Sequence, residues 1–180
     1  MNLPIAQTLH LETLANVHVS GLWHAVDSSR ESLRRWLPWV DGTRSLADSA
    51  AFVTAARAEH RLGAAWHFAV VTDAEVIGVC ALNRIDSAHR WASVGYWLHH
   101  GHTGQGTMIA CVRRLVGFAF DELAMHRLEI RCAEHNWASR AIPERLGFVS
   151  EGLLRDVEWI NGSAVSQVVY SQLTTDASRG

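Results

Sequence analysis

Apolar and polar positions along the chain change period several times, and each change predicts an element. Residues 7–11, Gln-Thr-Leu-His-Leu, alternate as a strand does. From Glu12 the apolar positions Leu14, Val17, Leu22 and Ala25, with Gly21, follow helical spacing. Asp27-Ser28-Ser29 breaks that helix and caps a second, short one over Arg30 to Leu37, which Pro38 stops. A longer helix is predicted from about Ser45 to about His60, opened by Ser45-x-x-Asp48 read as a capping box and closed by Gly63.

Beyond Gly63 the period becomes that of strands. Trp66 to Val71 and Val76 to Ile85 read as a hairpin around Thr72-Asp73-Ala74-Glu75, and Trp91 to His99 as a third strand after the polar turn Asp86 to Arg90. Met108, Val112, Leu115, Ala119 and Leu123 then form an apolar stripe at helical spacing, with Arg113, Arg114 and Glu122 off it. His126 to Ala133 is another strand, Ser139 to Leu146 a short helix, and Gly147-Phe148 a turn. Asn161-Gly162 is a strong hairpin signal, joining strands at about 148–160 and 164–173. The polar tail, 174–180, is expected to be flexible.

This order predicts a mixed α/β fold of the α+β type: one domain over 1–180, with its core at about 7–173. A mostly antiparallel sheet would be flanked by helices and contain one strand–helix–strand crossover. The 180 residues suffice for one domain with a full core.

Charge narrows the function classes. The 16 basic residues are all Arg, the acids number 18, and the net charge is −2. Residues 1–100 carry 8 Arg against 9 acids, and residues 101–180 the same, so a basic footprint for nucleic acid is absent. No apolar run approaches the roughly 20 residues of a membrane span, and no secretory signal is visible. Cys80, Cys111 and Cys132 show no C-x-x-C spacing, so a reduced, cytoplasmic location is expected, with the three as small core residues. The absence of Lys has a ready cause in GC-rich coding; selection against ε-amines near reactive acyl groups is the alternative.

The segment that carries chemistry is Val94-Gly-Tyr-Trp-Leu-His-His-Gly-His-Thr-Gly-Gln-Gly-Thr107, where a strand runs into Gly101-x-x-Gly104-x-Gly106 and a helix opens at once. Such glycines serve as a simple turn, or they gather unpaired N–H groups at a helix N-terminus where phosphate oxygens bind. The strand before and the amphipathic helix after favour phosphate. The spacing is not the Gly-x-Gly-x-x-Gly of dinucleotide folds, and a Walker loop requires a Lys that this chain lacks.

The loop resembles the phosphate loop of the GNAT superfamily of acyl-CoA-dependent N-acyltransferases, Gln/Arg-x-x-Gly-x-Gly/Ala, with Gly101 in place of the first residue. Asn136-Trp-Ala-Ser-Arg-Ala-Ile-Pro-Glu-Arg-Leu-Gly-Phe148 resembles the second CoA-side motif of that family. With Gly95-Tyr-Trp-Leu98 and Asn161-Gly162, these are similar to the RimJ/RimL-like branch, the ribosomal-protein N-terminal acetyltransferases. The resemblance in element order runs from about residue 7 to 173.

It implies an acetyl-CoA-dependent N-acetyltransferase acting by direct, ternary-complex transfer. Backbone amides of His102, Thr103, Gly104, Gln105, Gly106 and Thr107 would hold the CoA pyrophosphate, and Leu98 would lie along the pantetheine. Asn136 would bind near the pantetheine or cap a helix. Many members protonate the departing thiolate with a Tyr seven residues after that Asn; the position is Pro143 here, which leaves Ser139 or a water as the acid, unless Ser139 only caps a helix. A Glu common two residues before Gly-Tyr-Trp is replaced by Ser93, so His67, Asn83 and Ser93 are the candidates to order a proton-relaying water. Strand amides beside Gly95 and Tyr96 would polarise the thioester carbonyl. Trp36 and Trp39 would cap the core or, with Asn83 and Tyr96, wall an acceptor groove, and Trp159 would close its other side. The His99-His100-x-His102 cluster has no carboxylate partner in register, and no metal site is expected.

The acceptor expected from the resemblance is a protein N-terminal α-amine; alternatives are a small amine such as an antibiotic or metabolite, or a non-catalytic CoA-binding module. Late antiparallel strands are available to pair two copies into a homodimer.

Overall fold

The computed structural model describes residues 1–73 and 75–176. Ala74 of the first predicted hairpin turn and the predicted flexible stretch 177–180 lie outside the described residues. The described residues form eight strands and five α-helices: β1 (Asn2–Pro4), β2 (Leu9–Thr13), α1 (Val19–Ser28), α2 (Arg30–Leu33), α3 (Leu46–Arg61), β3 (Trp66–Thr72), β4 (Glu75–Asp86), β5 (Trp91–Leu98), α4 (Thr107–Asp121), β6 (Arg127–Ala133), α5 (Trp137–Arg145), β7 (Val149–Ile160) and β8 (Ser163–Leu173).

All eight strands join one sheet in the order β1-β2-β3-β4-β5-β6-β8-β7. Every pairing is antiparallel except β5 with β6, the crossover that α4 makes. The expected mixed, mostly antiparallel fold is therefore the one observed.

Helices cover both faces of the central strands. On β3, Phe68 and Val70 point into the core beneath α4, while Ala69 and Val71 point the other way, towards α1 and α3. On β4, Cys80 and Leu82 face the first core, Val79 and Ala81 the second. Burial on both sides is why these strands read as unbroken apolar runs rather than as alternation. The stripe predicted on α4 is its buried face, through Met108, Cys111, Val112, Leu115, Phe118 and Ala119.

Several boundaries differ from the expectation. Asn2–Pro4 form a strand too short to show a period; Leu3 pairs with Leu11 and is buried. Glu12 belongs to β2, and the first helical turn begins at Asn16. The second short helix stops at Leu33, earlier than Leu37. Ser45 is the N-cap of α3, but the reciprocal pair of a capping box does not form: the Asp48 carboxylate accepts from Arg44 N–H at 2.9 Å and from Ser45 Oγ at 2.8 Å, and Ser45 Oγ accepts no helix N–H. The Asn161-Gly162 turn has φ of 50° and 79°, the paired positive values of a type I′ hairpin.

Candidate active site

β5 pairs with β6 only over Trp91–Val94 against Arg127–Ile130. Beyond Val94 the two strands part, because β6 keeps its register with β8 as far as Ala133 while β5 continues beside β4 to Leu98. A cleft of about 1330 Å³ opens at this parting. One end is walled by Leu98 and the loop residues His102, Thr103, Gly104, Gly106 and Thr107, with Asn136, Ser139 and Ile142 of the α5 region opposite. The other end is walled by Trp36, Trp39, Phe52, His67, Asn83, Ser93, Glu129, Arg131 and Glu158.

The loop follows a short 3₁₀ turn, His100–His102, and enters α4 through Gly104 (φ 75°) and Gly106 (φ 80°). Side chains rarely adopt that backbone. A Cβ built on either glycine meets nothing within 4 Å, so the space above them is open. The first N–H groups of α4 have no carbonyl one turn earlier within the helix and form its positive end. These features fit an anionic, phosphate-bearing ligand. Of the predicted loop residues, Gln105 does not line the cleft; its Nε2 donates to Gly101 C=O at 3.1 Å and closes the loop on itself.

Ser139 sits where β5, β6 and α5 meet. Tyr96 Oη donates to Ser139 C=O at 3.0 Å, Ser139 Oγ donates to Tyr96 Oη at 3.4 Å, and Cys132 Sγ lies 3.3 Å from Ser139 Oγ. Burial pushes the Tyr96 hydroxyl well above the ordinary tyrosine range, so Tyr96 stays protonated and can hold its bond to Ser139. Tyr96, expected on the acceptor wall, is thus the hydroxyl that supports Ser139, delivered from β5 rather than from the position of Pro143, which is buried in α5. Ser139 does not cap α5. The helix starts two residues earlier, and Asn136 is its N-cap, accepting from Ser139 N–H at 3.2 Å. The Asn136 amide nitrogen makes no hydrogen bond among the described residues and lies at the cleft. Arg140 locks α5 in place by donating to Tyr170 Oη and to Glu134 C=O, both at 2.9 Å.

At the far end, Asn83 occupies a register shift between β4 and β5, and its amide packs directly on Gly95, where a Cβ would overlap it. Trp39 packs against Trp97 with centroids 5.9 Å apart, and Trp36 stands beside it on the cleft wall. Trp159 is 70% exposed and absent from the wall: strand alternation turns its neighbour Glu158 inward and Trp159 outward. His67 bonds through Nε2 to Glu59 Oε2 at 2.9 Å, so the imidazole has a carboxylate partner on α3.

Two carboxylates on the wall escaped the sequence reading. Glu129 lies in register beside Ser93 but is clamped by Arg127 at 3.0 Å and Arg131 at 2.7 Å. Among the described residues Glu158 accepts only from Gln167 Nε2, at 2.8 Å, and Gln167 pairs with Ala133, next to Cys132. The faint signal for Glu158 is an acid three residues before the Asn-Gly turn, one that Asp156 two positions earlier equally offers. All three thiols are pushed up by burial, Cys111 to about 12, so none is an activated nucleophile. Among the described residues no group of three His, Cys, Asp or Glu is arranged to hold a metal ion, and no helix is long and apolar enough to cross a membrane.

An acetyltransferase (GNAT) domain model matches residues 8–149. The chain is 28% identical over 169 residues to a ribosomal-protein-serine acetyltransferase of Escherichia coli, covering 94% of each. It superposes on RimL, a ribosomal L7/L12 alpha-N-protein acetyltransferase in complex with coenzyme A, with a TM-score of 0.93 at 26% identity over 96% of this chain and 98% of that one. A shorter match, 32% over 95 residues, is to a spermidine N(1)-acetyltransferase of Vibrio cholerae, covering 52% of this chain and 55% of that one.

Substitutions at Asn136 separate its cap from ligand binding. Asn136→Ala is expected to cost ~1 kcal/mol of stability, whereas Asn136→Asp retains the capping oxygen and the melting temperature. A loss of CoA affinity in both variants then assigns the amide nitrogen to the ligand; unchanged affinity in Asn136→Asp leaves Asn136 a cap alone.

Proposed function

The chain belongs to the GNAT acetyltransferase family, and from that membership we propose that it transfers the acetyl group of acetyl-CoA to a protein N-terminal α-amine by direct attack within a ternary complex. The observation that carries the reading is the continuity of one cleft from the glycine loop, past Ser139, to the aromatic wall and Glu158.

In this reading one domain spans the chain. His102 and Thr103 line the cleft, but their N–H groups donate to the His99 and His100 carbonyls. The backbone amides from Gly104 to Thr107 and the N-terminal end of α4 therefore take the pyrophosphate, Leu98 and the Asn136 amide flank the pantetheine, and Trp36 and Trp39 wall the acceptor. Acetyl-CoA supplies an acyl group already activated as a thioester. An α-amine has an ordinary pKa of ~8, so a modest base suffices to deliver it neutral. Glu158 is the base we assign, through a water that Ser93, Asn83 and His67 help to order. It is chosen over Glu129, whose oxygens are engaged by two arginines. The Tyr96 N–H, on the edge of β5 that faces away from β4, polarises the carbonyl, while the Gly95 N–H is turned towards Ala81 of β4. Ser139 Oγ, flanked by Tyr96 and Cys132, swings its one hydrogen from Tyr96 Oη to the departing sulfur, and water at the open cleft replaces the proton it gives up.

Charge on the wall favours a peptide over a polyamine. Glu129 and Glu158 are matched by Arg84, Arg131 and Arg145, and a polycation would call for a dense acidic lining. Three unpaired cysteines suit a reducing compartment, and we place the protein in the cytoplasm.

Thiol release from acetyl-CoA with a panel of N-terminal peptides, polyamines and aminoglycosides tests this reading. Turnover on peptides alone is expected, and Glu158→Gln is expected to lower kcat by about 10²-fold or more while the KM for acetyl-CoA moves less than about twofold. Turnover on small amines alone would transfer the assignment to a metabolite or drug acceptor, and CoA binding without release for any acceptor would make the chain a binding module. A large loss in His67→Asn with none in Glu158→Gln would move the base to His67.

We further propose a homodimer through β7, the outer strand of the sheet. Leu153, Leu154 and Val157 are exposed there at 45%, 36% and 47% on a strand with an unpaired edge. Light scattering is expected to give twice the 20.0 kDa chain mass; a species of single-chain mass would refute it.

A further inference from the structure

The glycine loop is tied to the junction of α1 and α2 by two histidines that the proposed chemistry does not use. His99 Nδ1 accepts from Gly101 N–H at 3.1 Å, and His99 Nε2 lies 3.1 Å from Ser28 Oγ. Ser28 Oγ donates its one hydrogen to His24 C=O at 2.6 Å. It can therefore only accept from His99, so Nε2 carries the hydrogen and Nδ1 is bare. Both ends of the ring demand the same neutral tautomer. Next to it, Ser29 Oγ accepts from His100 N–H at 3.0 Å and sits 3.1 Å from His100 Nδ1. The His99 and His100 rings pack against each other, centroids 4.4 Å apart and planes tilted by 38°. Gly101, held at its N–H by His99 and at its carbonyl by Gln105, is the first residue of the glycine loop.

We propose that neutral His99 is a positioning residue for acyl-CoA binding: it fixes Gly101 and, through Ser28, anchors the phosphate loop to α1, so that CoA affinity falls when its ring is protonated. The proposal rests on the reading of the loop as the phosphate site. A proton on Nδ1 would turn the acceptor into a second donor facing Gly101 N–H, and the tie would be lost. His99 is only part of a charged neighbourhood: His100 and His102 in the loop and His24 of α1 oppose its protonation, and Glu75 at the start of β4 favours it. Burial acts first and in the same direction as the imidazoles, and the ring is held below the ordinary histidine range. The sign follows from that depression: the tie is complete above about pH 6.5 and is lost as the pH falls through the lower His99 value.

Asn in this place offers Oδ1 to the N–H two residues on, as in an Asx turn, and cannot be protonated. The test is CoA binding by calorimetry at about pH 8 and about pH 5.5 for the wild-type chain, His99→Ala, His99→Asn and Ser28→Ala, with circular dichroism to verify each fold. At the higher pH His99→Ala is expected to bind about tenfold more weakly, the value of one hydrogen bond of about 1.4 kcal/mol. Ser28→Ala should lose about threefold, and His99→Asn less than about twofold. In turnover assays His99→Ala should raise the KM for acetyl-CoA with kcat within about twofold. At the lower pH the wild-type chain should lose affinity relative to His99→Asn, a comparison that cancels titration of the CoA phosphates. Wild-type affinity in His99→Ala, or identical pH profiles for the wild type and His99→Asn, would overturn the proposal. Gly106→Val serves as the separate control: if it binds CoA as tightly as the wild type, the phosphate-loop reading itself fails.

Discussion

The parting of β5 from β6 is the constraint on which the rest of the site depends. A parallel pair held for only four residue pairs leaves the end of β5 with a neighbour on one side, β4, and a cleft on the other. An unpaired strand edge inside a protein is costly unless something satisfies its N–H and C=O groups. Here the edge faces the opening that the glycine loop, α4 and α5 surround. The core sets where this happens: the buried face of α4, from Met108 to Ala119, packs against β3, β4 and β5, so the loop before α4 must return to the sheet at the end of β5. Glycine loop and strand edge are brought together by the same crossover.

Within the parting, polar groups are tied to one another rather than left to water. Tyr96 comes from β5, Cys132 from β6 and Ser139 from α5, and their hydroxyl and thiol groups meet within 3.3 to 3.8 Å. Each holds a position set by a different element, so the arrangement reports the relative placement of all three. The same burial that keeps Tyr96 protonated raises the Cys132 thiol, and it removes the one thiol that lines the cleft among the described residues from nucleophilic service. That is the structural argument for direct transfer. Asn136 and Arg140 keep Ser139 in register by capping α5 and fastening it to β8.

Local signals in the sequence were sufficient for much of this. Asn161-Gly162, the stripe from Met108 to Ala119 and the glycines at 104 and 106 each state their conformation through one or two residues, and the structure carries them as expected. What the sequence concealed depends on distant partners. Glu158 faces the cleft because of its register on a hairpin strand with two irregularities, and Tyr96 reaches Ser139 across 43 positions of chain. The three-residue β1 exists only because Leu3 has Leu11 to pair with. Ser45 and Asp48 show the limit of a motif read without geometry: the residues of a capping box are present, yet the Ser45 hydroxyl donates to the carboxylate instead of accepting from a helix N–H.

The central claim is that the amine attacks the thioester directly, with both substrates in one cleft and no acyl group passing through the protein. Initial rates measured while acetyl-CoA and a peptide acceptor are varied together test this most directly. The account predicts double-reciprocal lines that intersect, and an intact-mass spectrum with acetyl-CoA alone that shows no added acetyl group. Parallel lines, together with an acetylated Cys132, would contradict it.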